Sequence, residues 1–295
     1  MNSKQTIRSL YQNKIESTPL VWLTCYDYSF ATVIEKTDID MILVGDSGGM
    51  VTLGYGDTVP VTMNEMIQLA SAVRRGAPNK FIVGDMPKGS YESSNETAIK
   101  NAMRFCKESG CDAVKLEGGI EMADRVNAIT DCGIPVIGHL GLTPQSASAL
   151  GGYRVIGRSL DESDKLLKDV ESLENSGVFA ILIEAVPSLV AKSIATNAKS
   201  LIFGIGAGPE LDGQLLILHD MLGLYPNFRP KFAKCFVPQV LADFIAELSG
   251  IEDLTAYGRN QRTDGLHEIS RRAIDLFVSE VRSGLFPNEN FSYRG

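Results

Sequence analysis

The sequence predicts a (β/α)8 barrel, the TIM-barrel form of the α/β class. Three observations carry that expectation. Eight apolar runs of strand length alternate with segments of helical periodicity. Such alternation implies parallel strands joined by right-handed crossovers. Most runs end at a glycine or a polar side chain, and eight units in about 200 residues suit a closed barrel. An open doubly wound sheet is the competing architecture. Its first strand–helix turn would carry a glycine signature that Tyr26-Asp27-Tyr28-Ser29 lacks.

The elements follow in order. Residues 3–16 read as a short polar helix with Ile7, Leu10, Tyr11 and Ile15 as its packing face. Pro19 opens the first strand, Leu20 to Tyr26, and a helix follows from about Ser29 to Lys36. Asp27, between them, suits the N-cap of that helix. The second strand, Met41 to Val44, runs into Gly45, Asp46 and Ser47, then a glycine-rich loop from Gly48 to Gly56. Thr62-x-x-Glu65 is a capping-box pattern for a helix that Gly76 ends. The third strand, Lys80 to Gly84, carries Asp85 at its tip, and Ser93-x-x-Glu96 is expected to cap the helix that Gly110 stops.

Ala113 to Glu117 is the fourth strand, with a helix from about Ile120 to Asp131 behind it. The fifth, Ile134 to Gly138, presents His139. A long segment rich in Gly, Ser and Pro, Leu140 to Leu160, follows; loops of that length in compact domains are often functional. A helix from about Asp161 to Ser176 leads to the sixth strand, Phe179 to Ile183, which delivers Glu184. After a helix bearing Leu189, Val190 and Ile194 comes the seventh strand, Ser200 to Ile205, and then Gln214 to Leu218 as the eighth, with His219 and Asp220 beyond it. From about Pro238 to residue 282 the pattern is helical, with a polar interruption at Thr255 to Gly265. Residues 238–295 are therefore expected to be a helical extension of a single barrel domain spanning 1–295.

In a parallel barrel the chemistry sits at the carboxyl ends of the strands. Here those ends supply Asp27, Asp46-Ser47, Asp85, Lys115 with Glu117, His139 and Glu184. Lys115 and Glu117, two apart in a strand, face the same way. If Asp46, Asp85 and Glu117 converge, each unit pair at ~4 Å costs on the order of 4 kcal/mol at an effective dielectric of ~20. Such a cluster takes up protons or holds a cation, and oxygen ligands without Cys suit Mg²⁺. The plainer alternative is that each carboxylate caps a helix or sits in water.

Glu184, beside Ile183, Ala185 and Val186, suits a general base; its alternative is an ion pair with Lys192. His139 either donates to a substrate oxygen or holds structure, and His219 and His267 have weaker cases. Gly204-x-Gly206-x-Gly208 is placed as a phosphate cradle would be, although close packing at the barrel mouth explains it equally well.

The formal net charge is −8 with no basic cluster beyond pairs such as Arg74-Arg75, which disfavours a nucleic-acid partner. Five cysteines without CxxC spacing suit reduced thiols in a cytoplasmic protein. No secretory h-region is visible at the N-terminus, and no apolar run approaches ~20 residues, so no membrane association is expected.

Several motifs together resemble one family. They are Gly45-Asp-Ser-x-Gly-Met50, Ala72-Val-Arg-Arg-Gly76, Val114-Lys-Leu-Glu-Gly-Gly119, Gly138-His-Leu-Gly-Leu-Thr-Pro-Gln145, Gly151-Gly-Tyr153, Gly204-Ile-Gly-Ala-Gly208, Asp212-Gly-Gln214 and Pro230-Lys-Phe-Ala-Lys234. Over roughly residues 5–240 the chain is similar to the ketopantoate hydroxymethyltransferases of pantothenate biosynthesis. The resemblance implies a Mg²⁺-binding barrel that assembles into large homo-oligomeric rings, often decamers. It implies Asp46, Asp85 and Glu117 as metal ligands, Glu117 at least through water. Asp46, Ser47, Asp85, Lys115 and His139 match substrate contacts, and Glu184 matches the general base. The implied reaction is enolisation of 3-methyl-2-oxobutanoate and addition of a one-carbon unit from 5,10-methylenetetrahydrofolate. The chain departs from the family at Gly48, where a bulkier apolar residue is usual, at Lys88-Gly89, at Gln68-Leu69, where Tyr-His is usual, and in a longer stretch from Ala242 to Arg271. Two readings compete: a Mg²⁺-dependent enzyme of the phosphoenolpyruvate mutase and isocitrate lyase type, and a non-catalytic barrel that binds a metal or a 2-oxo acid.

Overall fold

The computed structural model describes residues 4–248 and 265–294. Eight parallel strands close in sequence order: β1 (Leu20–Thr24), β2 (Met41–Val44), β3 (Phe81–Asp85), β4 (Ala113–Glu117), β5 (Val136–Gly141), β6 (Ala180–Glu184), β7 (Leu201–Ile205) and β8 (Gly213–Leu216), with β8 pairing back on β1. The strands are buried throughout, with Gly141 and Glu184, the last residues of β5 and β6, as exceptions. Burial on both faces explains why they read as continuous apolar runs rather than alternating ones.

The helices form where the periodicity and caps place them. Helix α1 (Ile7–Ile15) starts at Thr6, whose side chain shares a capping box with Ser9. Leu10 is buried and the Tyr11 hydroxyl donates to Phe179 O at 2.8 Å, but Ile15, expected to pack, is 75% exposed at the helix end. Helix α2 (Tyr28–Ile34) is capped by Asp27, which accepts from Phe30 N. A single turn, α3 (Gly48–Val51), replaces the expected open loop, and α4 (Met63–Gly76) begins at the Thr62–Glu65 capping box. Ser94, not Ser93, caps α5 (Asn95–Arg104), because its side chain is the one aligned with the Thr97 N–H.

Helices α6 (Ala123–Asp131), α7 (Ala147–Leu150), α8 (Leu160–Asn175) and α9 (Ser188–Asn197) continue the series. The fifth strand extends past its expected end through His139 to Gly141, because β4 and β6 both pair with it there. The eighth is shorter than expected, and His219 and Asp220 lie in α10 (Leu218–Leu222). Helices α11 (Val237–Leu248) and α12 (Gly265–Arg282) follow β8 in the chain, and α12 packs on β1 and α2. Its Phe277 joins Phe236 and Phe286 in an edge-on aromatic cluster. Residues 249–264, which include most of the expected polar interruption, lie outside the described residues.

The amino ends of the strands share one device. Asp40, Asp112 and Asp212 each stand one residue before an even-numbered strand. Each accepts the second N–H of the preceding strand: Val21 at 2.7 Å, Ile82 at 2.9 Å and Ile202 at 2.7 Å. Each also pairs with a cation: Asp40 with Arg282 at 2.6 Å, Asp112 with Arg74 and Lys4, both at 2.6 Å, and Asp212 with Lys14 at 2.9 Å. The barrel floor is thus pinned by charge-assisted bonds, which leaves the opposite rim to carry chemistry.

Candidate active site

Strand register assembles the site by walking round the barrel. Asp85 on β3 pairs with Lys115 on β4, Glu117 with His139 on β5, and Gly141 with Glu184 on β6. Lys115 and Glu117 are two apart, as are His139 and Gly141. Period-two alternation therefore puts the whole series on one face. Asp46 joins from the end of β2, its N–H donating to Asp85 Oδ2 at 3.1 Å.

These side chains meet. Lys115 Nζ lies 2.7 Å from Asp85 Oδ1 and 3.3 Å from His139 Nδ1. His139 Nδ1 is 3.5 Å from Glu117 Oε1, and its Nε2 is 3.3 Å from Glu184 Oε2. Ser47 Oγ sits 2.9 Å from the Tyr26 hydroxyl. Asp46, Asp85, Lys115, Glu117 and His139 are buried, whereas the Glu184 side chain keeps 16% of its surface open. Among the charged groups that meet here, Glu184 is the one that solvent reaches.

The electrostatics follow from four carboxylates around one ammonium. Burial, then Asp85 and Glu117, hold the Asp46 carboxyl well above its ordinary range. Burial raises Glu117 to about 8, with Lys115 opposing and Asp85 adding to the rise. Burial works against the Lys115 ammonium, but Asp85, Glu117 and Asp46 outweigh it and keep Lys115 above its ordinary value. Burial and then Lys115 push His139 below its own. A neutral His139 can turn its Nδ1 lone pair toward Lys115 and its Nε2–H toward Glu184.

The donors fit a hard divalent cation. Asp85 Oδ1 and Glu117 Oε1 are buried without a hydrogen-bond partner, and such oxygens are costly unless something positive meets them. The Lys115–Asp85 contact is close, yet it lacks hydrogen-bond alignment. No ready-made cage of three His, Cys, Asp or Glu ligands stands among the described residues. Mg²⁺ does not need one, because it keeps several waters and takes only one or two carboxylates.

Sequence reasoning missed Tyr26, Tyr91 and Gln145. Gln145 is buried in the turn after β5, with Nε2 donating to Asp46 Oδ2 at 2.8 Å and to Met86 O at 3.0 Å. Its backbone N–H donates to Glu117 Oε2 at 3.0 Å, and its Oε1 accepts from the Tyr91 hydroxyl at 2.9 Å. The one available signal was that Gln145 closes a quoted motif inside the long segment after β5; nothing local marks Tyr91. That segment also brings Tyr153 over the mouth, where burial and then the Asp57, Glu184, Asp46 and Glu117 carboxylates raise its phenol.

Other candidates resolve differently. Lys192 pairs with Glu210 at 2.6 Å rather than with Glu184. A Cβ on Gly204, Gly206 or Gly208 would come within 2.4–2.6 Å of Leu211, Phe232 or Ser188, so close packing accounts for that glycine series. His219 lies beside Tyr26 with ring centroids 5.4 Å apart, and His267 falls on α12, away from the carboxylates. No helix among the described residues is long and apolar enough to cross a membrane.

A family model described as ketopantoate hydroxymethyltransferase matches residues 4–248. A protein of Heliobacterium modesticaldum named 3-methyl-2-oxobutanoate hydroxymethyltransferase is 50% identical over 293 residues, 99% of this chain and 96% of that one. One of the same name from Alkaliphilus metalliredigens is 42% identical over 99% of this chain and 94% of its own. Among solved structures, 2,3-dimethylmalate lyase superposes with a TM-score of 0.57 at 17% identity, covering 92% of this chain and 95% of its own. Phosphonopyruvate hydrolase in complex with oxalate and Mg²⁺ gives 0.58 at 12%, covering 94% and 98%. At those identities the two structures attest the barrel alone.

Proposed function

The chain belongs to the ketopantoate hydroxymethyltransferase family and is a hydroxymethyltransferase of pantothenate biosynthesis; on that premise we propose how its barrel mouth works. The substrates are 3-methyl-2-oxobutanoate and 5,10-methylenetetrahydrofolate, and the cofactor is Mg²⁺. Asp46, Asp85 and Glu117 would hold the ion, some of them through water. When bound, it supplies Lewis-acid pull on the oxygens of a 2-oxo acid.

The chain's own groups do the rest. Glu184, open to solvent at the rim, removes the proton from C3. His139, with Nε2 3.3 Å from Glu184 Oε2, is placed to donate to that carboxylate as it turns toward the substrate. The Lys115 ammonium stabilises negative charge as it develops on the keto oxygen. Ser47, steadied by Tyr26, meets the substrate carboxylate. Water cleaves the methylene bridge of the folate to formaldehyde and tetrahydrofolate, the carbanion at C3 adds to the formaldehyde carbon, and the resulting alkoxide takes up the proton that Glu184 removed. The ring assembly expected of the family and a cytoplasmic setting belong to the same proposal.

The observation that carries the reading is one open carboxylate, Glu184, on one side of His139 and, on the other, buried carboxylate oxygens of Asp85 and Glu117 that lack a hydrogen-bond partner. Purified protein incubated with Mg²⁺, 3-methyl-2-oxobutanoate and methylenetetrahydrofolate is expected to form ketopantoate. It should also exchange the C3 proton for deuterium when folate is left out. No product across a range of pH and metals would overturn the proposal. Exchange without folate-dependent product would restrict it to enolisation.

A further inference from the structure

Gln145 has its backbone N–H and both ends of its side-chain amide committed, and the directions of these bonds can be deduced. Met86 O can only accept, so the end of the amide 3.0 Å from it is the NH₂. The same NH₂ meets Asp46 Oδ2 at 2.8 Å. The other end is therefore the carbonyl, and the Tyr91 hydroxyl, 2.9 Å away, must donate to it. The Glu117 carbonyl, 3.3 Å from the same hydroxyl, is the more distant acceptor, and the Tyr91 oxygen accepts the Glu117 N–H at 3.2 Å. One polarised chain thus runs from the β4 backbone through Tyr91 and Gln145 to the Asp46 carboxylate. The Gln145 N–H closes it on Glu117 Oε2 at 3.0 Å.

The consequence concerns which carboxylate oxygens stay available. Gln145 occupies one oxygen of Asp46 and one of Glu117, and Glu117 Oε1 is left without a hydrogen-bond partner. Both groups stand beside Lys115, the one buried ammonium of the site, which attracts each of them. Without fixed donors they could swing onto it and close the site. We propose that Gln145, oriented by Tyr91, is the positioning residue of the carboxylate cluster, presetting Asp46 and Glu117 to receive a divalent cation. This inference rests on the magnesium reading above. Partners of this kind, which orient ligands without touching the metal, typically change metal affinity by about 10–100-fold when lost.

The test is Mn²⁺ binding to the full-length protein, followed by electron paramagnetic resonance and calorimetry, with near-UV circular dichroism to verify the fold. Wild type is expected to bind the ion. Q145L should weaken binding by about 10–100-fold, and Y91F by a smaller factor in the same direction. The double variant should be no weaker than Q145L, because the two residues act in one chain. A folded Q145L that binds Mn²⁺ like wild type overturns the inference, as does strict additivity of the two losses. If Q145L fails to fold, Y91F decides, and wild-type affinity in Y91F overturns it. Absence of Mn²⁺ binding by wild type removes the magnesium reading itself and this inference with it, an outcome distinct from the others.

Discussion

The ring of Tyr26 fills the space that a side chain at Gly48 would need. A Cβ at position 48 would stand 2.6 Å from Tyr26 Cδ1 and 3.3 Å from Leu69 Cδ1. Gly48 and Leu69, at two positions where the resemblance leads one to expect other residues, are therefore neighbours. The Tyr26 hydroxyl in turn holds Ser47 Oγ at 2.9 Å. The glycine is thus coupled, through one aromatic ring, to a side chain proposed to meet substrate.

Gly48→Ala should push Tyr26 aside and release Ser47. The expected result is a KM for the 2-oxo acid raised roughly 5–30-fold, corresponding to about 1–2 kcal/mol for one lost hydrogen bond, with a smaller change in kcat. Steady-state kinetics on the folded variant checks this. An unchanged KM would show that Tyr26 has room to move.

Glu184→Gln keeps the shape and removes the base. Deuterium exchange at C3 of 3-methyl-2-oxobutanoate should fall by ~10²–10⁴-fold. Mn²⁺ binding should hardly change, because Glu184 lies on the far side of His139 from the carboxylate cluster. Full-rate exchange in this variant would sink the base assignment.

Asp220 offers a pH test outside the catalytic groups. Burial raises its carboxyl to about 6, with Arg229 opposing the rise. The folded state therefore binds the proton more tightly than the unfolded chain does. Stability from this group is complete below the unfolded value of 3.8 and is lost as pH rises through about 6. Asp220→Asn removes that loss. At pH 8 it should be more stable than wild type by up to about 3 kcal/mol, and the gap should close near pH 4. Thermal melts across that range would contradict the argument if the gap were independent of pH.

Asp212→Ala should weaken the floor of the barrel and spare its rim. Ile202 N–H loses its partner, and Lys14 loses its carboxylate while keeping the Ser200 carbonyl at 2.7 Å. The expected cost is about 1–3 kcal/mol, read from denaturant unfolding. Mn²⁺ affinity should stay at the wild-type value; a drop would mean that the two ends of the barrel are coupled.

The sequence by itself determined the barrel and most of its rim. Eight apolar runs separated by capped helices leave few other ways to bury both faces of every strand. The two-residue spacing of Lys115 and Glu117 settled that they share a face. Asp46, Asp85, His139 and Glu184 were legible because each follows or ends a strand, where a parallel barrel gathers its chemistry. Strand ends were less legible: β5 runs on through Gly141 because neighbours on both sides pair with it, and pairing is not a local property.

What only the tertiary structure decided is how those groups are held. The Tyr91–Gln145–Asp46 chain joins residues far apart in sequence, and the seat of Tyr26 over Gly48 depends on the distance between two strand ends. The strand-start aspartates, Asp40, Asp112 and Asp212, look like ordinary surface acids until register shows each one meeting a neighbouring strand's N–H. Hydrogen bonds of this kind depend on positions good to a few tenths of an ångström. Residue type and periodicity specify which face a side chain takes, whereas packing of the closed barrel sets the distances at which these side chains meet.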